Sequence, residues 1–506
     1  MSSVIRHPLT LKKIRLLWRC IFLIALGVGC ANSSVFARPN VVIVLADDLG
    51  WNDVSYHGSE IATPTIDSLA ENGIQLDRFY SQPTCTPTRA ALMTGKTPMR
   101  LGIFGPLSKR TATGLPLSEK LLPQYFKENG YSTYLVGKWH LGFRQEEYLP
   151  TARGFDHFYG HLTGGVGYWD HVHGGGLDWQ RNGETVYETG YATDLEADEA
   201  IRLLAAHDKN KPFFMYLSFN AVHLPNEAPA EAIERYGHIS DRYRRVHAAM
   251  ASKMDEAIGR LIDSLNDEGL LDNTLIWFMS DNGGLNPGVY PQEIRERYAD
   301  WVDWFGKPLP IDYYEFIRGN VQEGGSDNTP FRKGKNTVYE GGTRVPSIIY
   351  WRSKLSPKVI PQMITAQDVL PTLANAVEIN LGVDESNMDG RNLWPVIAKA
   401  QSGATPDYIT RAADGDAIYR YPWKLLKLKS GKVELYQLES DPTEQSDLAA
   451  SMPEKVSELS LALEQFPRGQ SVHPSRFEIF WDPDAFGGDI DRVPWTELTK
   501  PNVGSR

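Results

Sequence analysis

The sequence predicts an α/β fold: a mixed, mostly parallel sheet sandwiched by helices, with a small antiparallel unit near the C-terminus. Continuous runs of β-branched residues indicate strands that are buried on both faces, as in a parallel sheet. Helical patterns separate these runs along the chain. From about residue 405 the pattern changes to short strands joined by turn residues, which predicts antiparallel pairing.

The predicted elements alternate between strand and helix up to the middle of the chain. Each strand is an apolar run rich in β-branched or aromatic residues, and each helix has an apolar face or ends at a glycine. In chain order they are the strand Asn40–Ala46, the helices Pro64–Asn72 and Ser118–Asn129, the strands Ser132–Val136 and Phe213–Phe219, the long helix Tyr243–Asn266 and the strand Thr274–Met279. Polar clusters follow several of these strands. Because ligands bind at the carboxyl ends of strands in open α/β sheets, we expect the functional site there.

The C-terminal part predicts a separate small unit. Ala417–Leu428 and Lys432–Leu438 favour a hairpin that turns at Ser430-Gly431, and Pro453–Gln465 favours a helix. We therefore divide the chain into a leader (1–37), a main domain (38–404), a small α+β subdomain (405–476) and a C-terminal tail (477–506) that wraps the surface.

Residues 1–37 have the three parts of an export signal. Basic residues come first, Ile21–Val28 is a short apolar run, and Val35–Ala37 presents small residues where a peptidase cleaves. The apolar run is too short to span a membrane. We expect cleavage after Ala37 and export to the periplasm or the extracellular space. A lipid anchor on Cys30, at the end of a poor lipoprotein box, is the alternative.

The charge of the chain argues against a nucleic-acid-binding protein. The formal net charge is −11, and removal of residues 1–37, with five basic and no acidic residues, takes it to about −16. Nucleic-acid-binding proteins instead carry a basic surface that releases phosphate counterions. If the substrate is an anion, its positive partners must lie in a local pocket.

Cys85 is the one cysteine that remains when Cys20 and Cys30 leave with the leader. It cannot form an intramolecular disulfide, and a free thiol in an oxidising compartment is a liability unless chemistry uses it. The alternative is a buried structural cysteine, which is the commoner role.

The residues after Cys85 predict the start of a helix. Pro87 would lie in the first turn, and Thr86 is a candidate N-cap. Residue 85 would then sit at a helix N-terminus beside Arg89, where negative charge is favoured. The surrounding prolines favour a loop mouth over a core position for the thiol. Taken alone, Arg89 could equally be a charge on the helix surface.

Four oxygen-donor side chains follow two of the predicted strands. They are Asp47 and Asp48 after the first strand, and Asp281 and Asn282 after Thr274–Met279. Carboxylate and amide oxygens suit calcium or magnesium and do not suit zinc. Taken singly, each pair could be an ordinary solvated turn.

With these residues in place, the chain resembles the type I sulfatases. Cys-x-Pro-x-Arg followed by Ala-Ala-Leu-Met-Thr-Gly at residues 85–95 is similar to the signature in which the cysteine is oxidised to formylglycine (3-oxoalanine). Thr88 stands where serine is frequent. Further motifs recur in the family's order between residues 38 and about 470: Asp47-Asp48, Gly137-Lys138-Trp139-His140-Leu141-Gly142, His223-Leu224-Pro225, Ser280-Asp281-Asn282-Gly283, and Arg332–Lys335 with Glu340–Arg344.

The resemblance implies an alkaline-phosphatase-like fold and a role for each motif. Formylglycine hydrate at residue 85 would be the nucleophile, and calcium would be held by Asp47, Asp48, Asp281, Asn282 and the residue 85 oxygen. Arg89 and Lys138 would orient the hydrate, and His140 would assist its proton loss. His223 and Lys335, with Lys138, would bind the sulfate, and the first two would protonate the leaving group. A formylglycine-generating or radical maturation enzyme is the implied partner. Taken alone, each His or Lys could be a solvated loop residue, and Trp139 a core residue.

The implied substrate is a sulfated glycan. Within the family the chain resembles arylsulfatase B-like enzymes, which remove the 4-sulfate of N-acetylgalactosamine. The segment 160–176, with His171 and His173, has the aromatic and imidazole content of a sugar-facing loop. An irregular surface insertion, or a second metal site on these two histidines, is the alternative. The segment Pro287–Gly325 is a second candidate for glycan stacking.

Three function classes therefore compete. The first is a secreted sulfatase that acts on sulfated sugars. The second is a phosphonate monoester or phosphodiester hydrolase, which has the same nucleophile and the same superfamily fold. The third is a non-catalytic carbohydrate-binding relative. The full set of motifs favours the first.

Overall fold

The computed structural model describes residues 38–108, 113–173, 176–286, 324–399, 406–473 and 494–499. The predicted leader with Cys30 lies outside the described residues, as do residues 287–323 of the predicted glycan-stacking segment and most of the tail. Pro39–Arg506 forms one compact unit. The predicted domain boundaries stay predictions. In the described part of the chain, every helix is too short or too polar to cross a membrane.

The strands form one large sheet, one four-stranded sheet and two small pairs. In chain order they are β1 (Asn40–Ala46), β2 (Ile74–Leu76), β3 (Phe79–Tyr80), β4 (Ser132–Lys138), β5 (His157–His161), β6 (Val172–His173), β7 (Gly176–Leu177), β8 (Gln180–Arg181), β9 (Glu184–Thr185), β10 (Phe213–Ser218), β11 (Thr274–Ser280), β12 (Ser347–Tyr350), β13 (Lys358–Ile360), β14 (Ile364–Thr365), β15 (Tyr408–Arg411), β16 (Gly415–Arg420), β17 (Trp423–Leu428) and β18 (Val433–Gln437). Each strand predicted in the main domain is present and ends within two residues of its predicted end.

The large sheet is mixed and mostly parallel at its centre, as predicted. Its strand order is β13-β2-β12-β11-β1-β10-β4-β5-β8-β9. The neighbours β11, β1, β10, β4 and β5 run parallel, and antiparallel pairs flank them. The carboxyl ends of the five central strands therefore meet at one edge.

Strand β1 is buried on both faces, which explains its unbroken apolar sequence. Every residue from Val41 to Ala46 is fully buried. Val41, Ile43 and Leu45 pack into the core on one face of the sheet, and Val42, Val44 and Ala46 pack into the core on the other. Side chains point alternately to the two faces of a strand. Because both faces of β1 are buried, every position from Val41 to Ala46 is apolar and the sequence does not alternate between apolar and polar residues.

Helices cover both faces of the sheet. They are α1 (Pro64–Asn72), α2 (Cys85–Thr94), α3 (Leu122–Glu128), α4 (Ala192–Ala205), α5 (Ala230–Arg235), α6 (Arg242–Asp267), α7 (Glu340–Thr343), α8 (Val369–Ala376), α9 (Trp394–Lys399), α10 (Pro453–Gln465) and α11 (Trp495–Leu498). The predicted helix Ser118–Asn129 was too long. It begins at Leu122, because Pro123 lacks an N–H and fits only the first turn of a helix.

The C-terminal unit is antiparallel, and its hairpin turns at Ser430-Gly431, as predicted, but the first predicted strand of this hairpin was too long. Ala417–Leu428 is not one strand: it contains parts of β16 and β17, which turn at Tyr421-Pro422. Pro422 has no N–H to donate to a ladder and therefore interrupts the run. Helix α10 packs on this sheet through Leu459 and Leu463.

A buried ion cluster joins this sheet to the loop after Lys335. The Nζ atom of Lys424, on β17, lies 3.0 Å from Glu340 and 2.7 Å from Glu444, and all three side chains are fully buried. The hydroxyl of Tyr80 donates to the second oxygen of Glu340 at 2.7 Å. Glu340 begins α7, so the cluster fixes the end of the segment that carries Lys335.

Replacement of Lys424 by alanine should destabilise the protein by about 3–5 kcal/mol, because it leaves two buried carboxyl groups without their cation. Urea unfolding monitored by fluorescence measures the change. The matched control is Lys427→Ala on the same strand, whose partially exposed pair with Glu464 should contribute less than about 1 kcal/mol. Equal losses in the two variants would contradict the buried-cluster interpretation.

Candidate active site

Parallel pairing of β1 and β11 brings the predicted oxygen donors together. Ala46 is in register with Ser280, so Asp47-Asp48 and Asp281-Asn282 leave the sheet side by side. The N–H of Asp281 donates to the carbonyl of Ala46 at 3.0 Å. All four donor side chains are buried. Their meeting at one sheet edge was predicted.

The backbone at Asp48 turns both aspartates toward one pocket. Its φ of 64° lies in the left-handed region, which breaks the side-chain alternation of an extended chain. The Asp48 N–H lies 3.3 Å from Oδ1 of Asp281, and the Leu49 N–H donates to the Ser280 hydroxyl at 3.0 Å. Carboxylate oxygens of both aspartates, the Cys85 sulfur and a ring nitrogen of His223 all lie within 4.8 Å of one another.

Helix α2 delivers Cys85 to this pocket. Cys85 is its first residue, and Sγ lies 3.6 Å from Oδ1 of Asp47. The thiol is not at an open loop mouth as predicted, because every residue of α2 is buried. Burial raises the pKa of the thiol well above its ordinary value. An unmodified cysteine would therefore stay protonated and be a weak nucleophile.

Thr86 is not the N-cap of α2. The cap position is Thr84, and the helix already includes Thr86. The Thr86 hydroxyl instead donates to the carbonyl of His140 at 3.1 Å and accepts the N–H of Leu107 at 3.1 Å. Thr86 thus connects the helix that carries residue 85 to the loop that carries His140.

Arg89 is a fully buried cation and not a surface charge. Its Nε and one terminal nitrogen donate to Oδ2 of Asp281 at 3.0 and 2.8 Å. The other terminal nitrogen donates to the Ser218 hydroxyl at 2.5 Å and to the Lys138 carbonyl at 3.1 Å. Arg89 therefore ties α2 to the ends of β11, β10 and β4.

Two lysines bind the paired aspartates. Lys138, at the end of β4, donates to Asp47 in a short hydrogen bond, and Lys335 donates to Asp48 at 2.7 Å. Burial would raise the pKa of Asp48, but Lys335, His223 and Lys138 hold it below its ordinary value. Burial and the neighbouring Asp281 raise the pKa of Asp47 to about 7, against the lowering effect of Lys138. Asp47 is thus a carboxylate that further positive charge would stabilise.

The hydrogen bonds of His140 indicate its tautomer. Nε2 lies 2.9 Å from the carbonyl of Leu107, which can only accept, so Nε2 carries the proton. Nδ1 is then a lone pair, and it has no partner among the described residues. Burial, and then Lys138, lower the pKa of His140 well below its ordinary value. His140 is therefore a neutral imidazole with a free acceptor.

The donor set fits a hard cation. Asn282 Nδ2 donates to Asp48 at 2.7 Å and to the Gly283 carbonyl at 2.9 Å. Its buried Oδ1 is left without a partner in the described part of the chain. An unpaired amide oxygen beside three carboxylates is the arrangement that calcium or magnesium satisfies.

The loop after β5 lies against both proposed catalytic histidines. A Cβ atom on Gly164 would lie 3.0 Å from Cε1 of His140, and one on Gly165 would lie 2.5 Å from Nδ1 of His223. The loop can approach both rings only because these residues are glycines. The predicted sugar loop therefore does adjoin the pocket.

His171 and His173 are positioned differently. His171 is buried and stacks on Trp179 at 4.5 Å, whereas the half-buried His173 bonds the Gly165 carbonyl through Nδ1 at 2.5 Å. Within the described ranges, the one group of three or more potential metal ligands is Asp47, Asp48, Cys85 and His223. A second metal centre on His171 and His173 thus has no support in this part of the chain.

Sequence reasoning missed Ser218 and the Leu107 carbonyl, and it placed His161 only within the sugar-facing segment 160–176. His161 ends β5 in register with Lys138, is fully buried, and has no partner for either ring nitrogen among the described residues. A polar residue at the end of a buried strand was the signal used elsewhere, but β5 itself was not predicted. Trp139 is a core residue, as its alternative interpretation held.

Comparison with known proteins decides the family. The sulfatase family model matches residues 39–379, which is most of the chain. The chain belongs to the sulfatase family. It is 32% identical over 496 residues to mouse arylsulfatase J, covering 86% of this chain and 77% of the relative. Human N-acetylgalactosamine-6-sulfatase is 29% identical over 408 residues, covering 76% and 70%.

Solved structures give the same result. Ps i-CgsB superposes with a TM-score of 0.75 at 30% identity, covering 89% of this chain and 98% of that one. The same protein in complex with k-i-k-neocarrahexaose gives 0.75 at 29% identity, covering 92% and 100%. The fold is alkaline-phosphatase-like, and the activity of the family is sulfuric ester hydrolysis.

Replacement of Thr86 by valine should lower kcat for an aryl sulfate on the order of tenfold, because it frees the His140 backbone from α2. The assay needs protein in which the chemical state of residue 85 has been determined by peptide mass and is the same in all variants. The matched control is Thr94→Val, which removes a hydroxyl bonded to the Ala90 carbonyl at the far end of the same buried helix. Full kcat in the Thr86 variant would contradict the positioning role.

Proposed function

We propose that this sulfatase is an exported enzyme that removes sulfate from a sulfated carbohydrate, using formylglycine at residue 85 and a bound calcium ion. The substrate would be N-acetylgalactosamine-4-sulfate or a related sulfated polysaccharide. The observation that carries the proposal is the convergence of Cys85, three buried carboxylates and three buried cations at one sheet edge. The predicted export signal supports secretion.

Formylglycine explains why a buried, weakly acidic thiol occupies this position. The hydrate of its aldehyde supplies two geminal hydroxyls, one to attack sulfur and one to drive sulfate out as the aldehyde re-forms. The free lone pair on Nδ1 of His140 would accept the proton released from the hydrate. Arg89 and Lys138 would hold the hydrate oxygens in place.

His223 and Lys335 would act on the other side of the ester. His223 Nδ1 lies 2.7 Å from the Leu224 carbonyl, which leaves Nε2 toward Asp48. Burial, and then Lys335, lower the pKa of His223, whereas a bound anionic ester would have the opposite effect. The substrate would thus help to protonate the imidazole that donates to its leaving alkoxide.

Calcium would be held by Asp47, Asp48, Asp281, Asn282 and the residue 85 oxygen. When bound, it would stabilise the negative charge that develops on the sulfate oxygens. Lys138 and Lys335 hydrogen-bond two of the same carboxylates. The residues that would hold the calcium ion would therefore also position the lysines that bind the sulfate.

Two observations support a carbohydrate. The name of mouse arylsulfatase J does not specify a natural substrate. The human relative, however, is named an N-acetylgalactosamine-6-sulfatase, and the Ps i-CgsB complex contains k-i-k-neocarrahexaose. In this chain, Trp169 lies on the loop beside His171 and is 50% exposed. An exposed indole on the loop that adjoins the pocket provides a stacking face for a sugar ring. His171 and His173 would orient the sugar.

The nucleophile is tested by two substitutions at residue 85. Cys85→Ala should abolish turnover of an aryl sulfate while the fold is kept. Cys85→Ser should accept sulfate once and retain it, because a single hydroxyl cannot expel it, and peptide mass spectrometry would detect the sulfated serine. Turnover by Cys85→Ala at the wild-type rate would remove the assignment.

Wild-type protein should hydrolyse an aryl sulfate faster than an aryl phosphodiester when the two substrates are compared at equal enzyme concentration. The reverse preference would favour the phosphonate or phosphodiester hydrolase. Binding of sulfated glycan by protein from the native host that carries an unmodified thiol would instead indicate the non-catalytic relative.

The metal is tested by calcium titration after chelation. Calcium should raise the unfolding midpoint of the wild type and restore its activity, since a ligand stabilises the state that binds it. Asp281→Asn should lose most of the calcium-dependent shift. Asp272→Asn, at an exposed carboxylate, is the control and should behave as wild type. Full activity in chelator with no calcium-dependent shift would refute the cation role.

A further inference from the structure

We infer that the C-terminal segment Pro494–Thr499 is a positioning element of the sulfate site, in which Trp495 holds the sugar loop against His223. The inference rests on the proposed function, because it assigns the segment a role in that reaction. Nothing in the sequence pattern of the tail indicated such a role. It follows from the contacts of three residues of the segment.

Trp495 is a core residue although it lies at the end of the chain. It is 1% exposed, and it packs in the main hydrophobic core on one face of the large sheet. Its ring meets Phe143 edge-on at 5.2 Å and His173 at 5.8 Å. Its indole N–H lies 3.3 Å from the carbonyl of His173. Trp495 thus lies between Phe143, which follows the His140 loop, and His173, at the end of the loop 164–173.

Two threonines fix the segment on either side of this ring. The Thr499 hydroxyl donates to the Phe143 carbonyl at 3.0 Å, and the Thr496 hydroxyl lies 2.5 Å from that of Thr185. The hydrogen bonds of the segment to the rest of the described chain therefore include both loops and the edge hairpin of the sheet.

A continuous series of contacts connects Trp495 to the pocket. Trp495 bonds the His173 carbonyl, and the His173 ring bonds the Gly165 carbonyl. Gly165 in turn lies against the His223 ring, so closely that a Cβ atom would collide with it. Loss of Trp495 removes a packing partner of His173 and should loosen the contact between Gly165 and the His223 ring.

The inner part of the loop has tethers of its own: Asn220 hydrogen-bonds both backbone groups of Val166, and the Tyr168 N–H donates to Glu227 at 2.8 Å. Gly167 donates to the Val172 carbonyl at 3.1 Å and His171 donates to the Gly167 carbonyl at 3.1 Å, so these bonds close the loop on itself. The Tyr168 hydroxyl donates to the His223 carbonyl at 2.9 Å. The outer end of the loop, at His173, is supported by Trp495, and a loop that abuts the proposed acid needs this end held as well.

Two truncations and one substitution test the role. The chain ending at Val493 lacks the segment, and the chain ending at Thr499 keeps it and is the matched control. Trp495→Phe keeps the aromatic packing and loses the indole N–H. All proteins are compared at equal aldehyde content of residue 85, on an aryl sulfate and on N-acetylgalactosamine-4-sulfate.

The chain ending at Val493 should lose on the order of tenfold or more in kcat/KM for the sulfated sugar, mainly through KM. The loss for the aryl sulfate, which needs no sugar loop, should be smaller. The kcat/KM of Trp495→Phe for the sulfated sugar should lie between the values of the two truncated chains. An element that only stabilises the fold would lower the active fraction and leave KM unchanged for both substrates.

Amide hydrogen exchange gives a readout that does not depend on turnover. Gly167 and His171 should exchange faster in the chain ending at Val493, whereas the amides of β1 should keep their protection. If that chain does not fold, Trp495→Phe provides the same comparison. Unchanged KM for the sugar and unchanged exchange at Gly167 and His171 would overturn the inference. A full-length chain with verified aldehyde and no sulfatase turnover would instead overturn the proposed function.

Discussion

The site depends on opposite charges that neutralise one another where water is excluded. Asp47, Asp48 and Asp281 are buried with Arg89, Lys138 and Lys335, and each carboxylate has at least one of these cations as its partner. A buried charge without a partner costs several kcal/mol, so no member of the set can be removed without penalty. The parallel register of the central strands is what makes the arrangement possible, because it delivers these side chains from distant parts of the sequence to one sheet edge. Helix α2 brings residue 85, the proposed nucleophile, to the same point.

The sequence predicted those features that depend on local pattern. The hydrophobic pattern predicted the strand β1 and the bounds of α1 and α10. The position of Asp47 and Asp281 just after predicted strands placed both at the sheet edge. The structure confirms these predictions. Errors arose where proline interrupts an otherwise regular pattern. Pro123 shortened a helix, and Pro422 divided a predicted strand. Thr86 was misassigned because a cap and a buried tether have the same sequence signature.

Long-range partners could not be predicted from the sequence. Arg89 and Asp281 are 192 positions apart, and nothing local to either residue indicates that they form a pair. The same holds for Ser218, which accepts a second Arg89 hydrogen bond, and for Lys424, whose apolar neighbours on β17 conceal an ion cluster. His161 shows a further limit: the short strand His157–His161, with glycine inside it, gave no periodic signal, so His161 was assigned to a sugar-facing loop and not to a strand end. The tautomer of His140 depends on a carbonyl 33 residues away and is visible only in three dimensions.

The burial of α2 has a consequence for how the protein is made. Cys85 is only 2% exposed, its sulfur lies 3.6 Å from Asp47, and every residue of its helix is buried. If residue 85 is converted to formylglycine, as we propose, a maturation enzyme would have no route to it in the folded chain, so conversion and folding would compete in time. Chains that fold first would be permanently unconverted, well folded and inactive. The specific activity of a preparation would then report the order of these two events during synthesis, and no later treatment of the purified protein would change it.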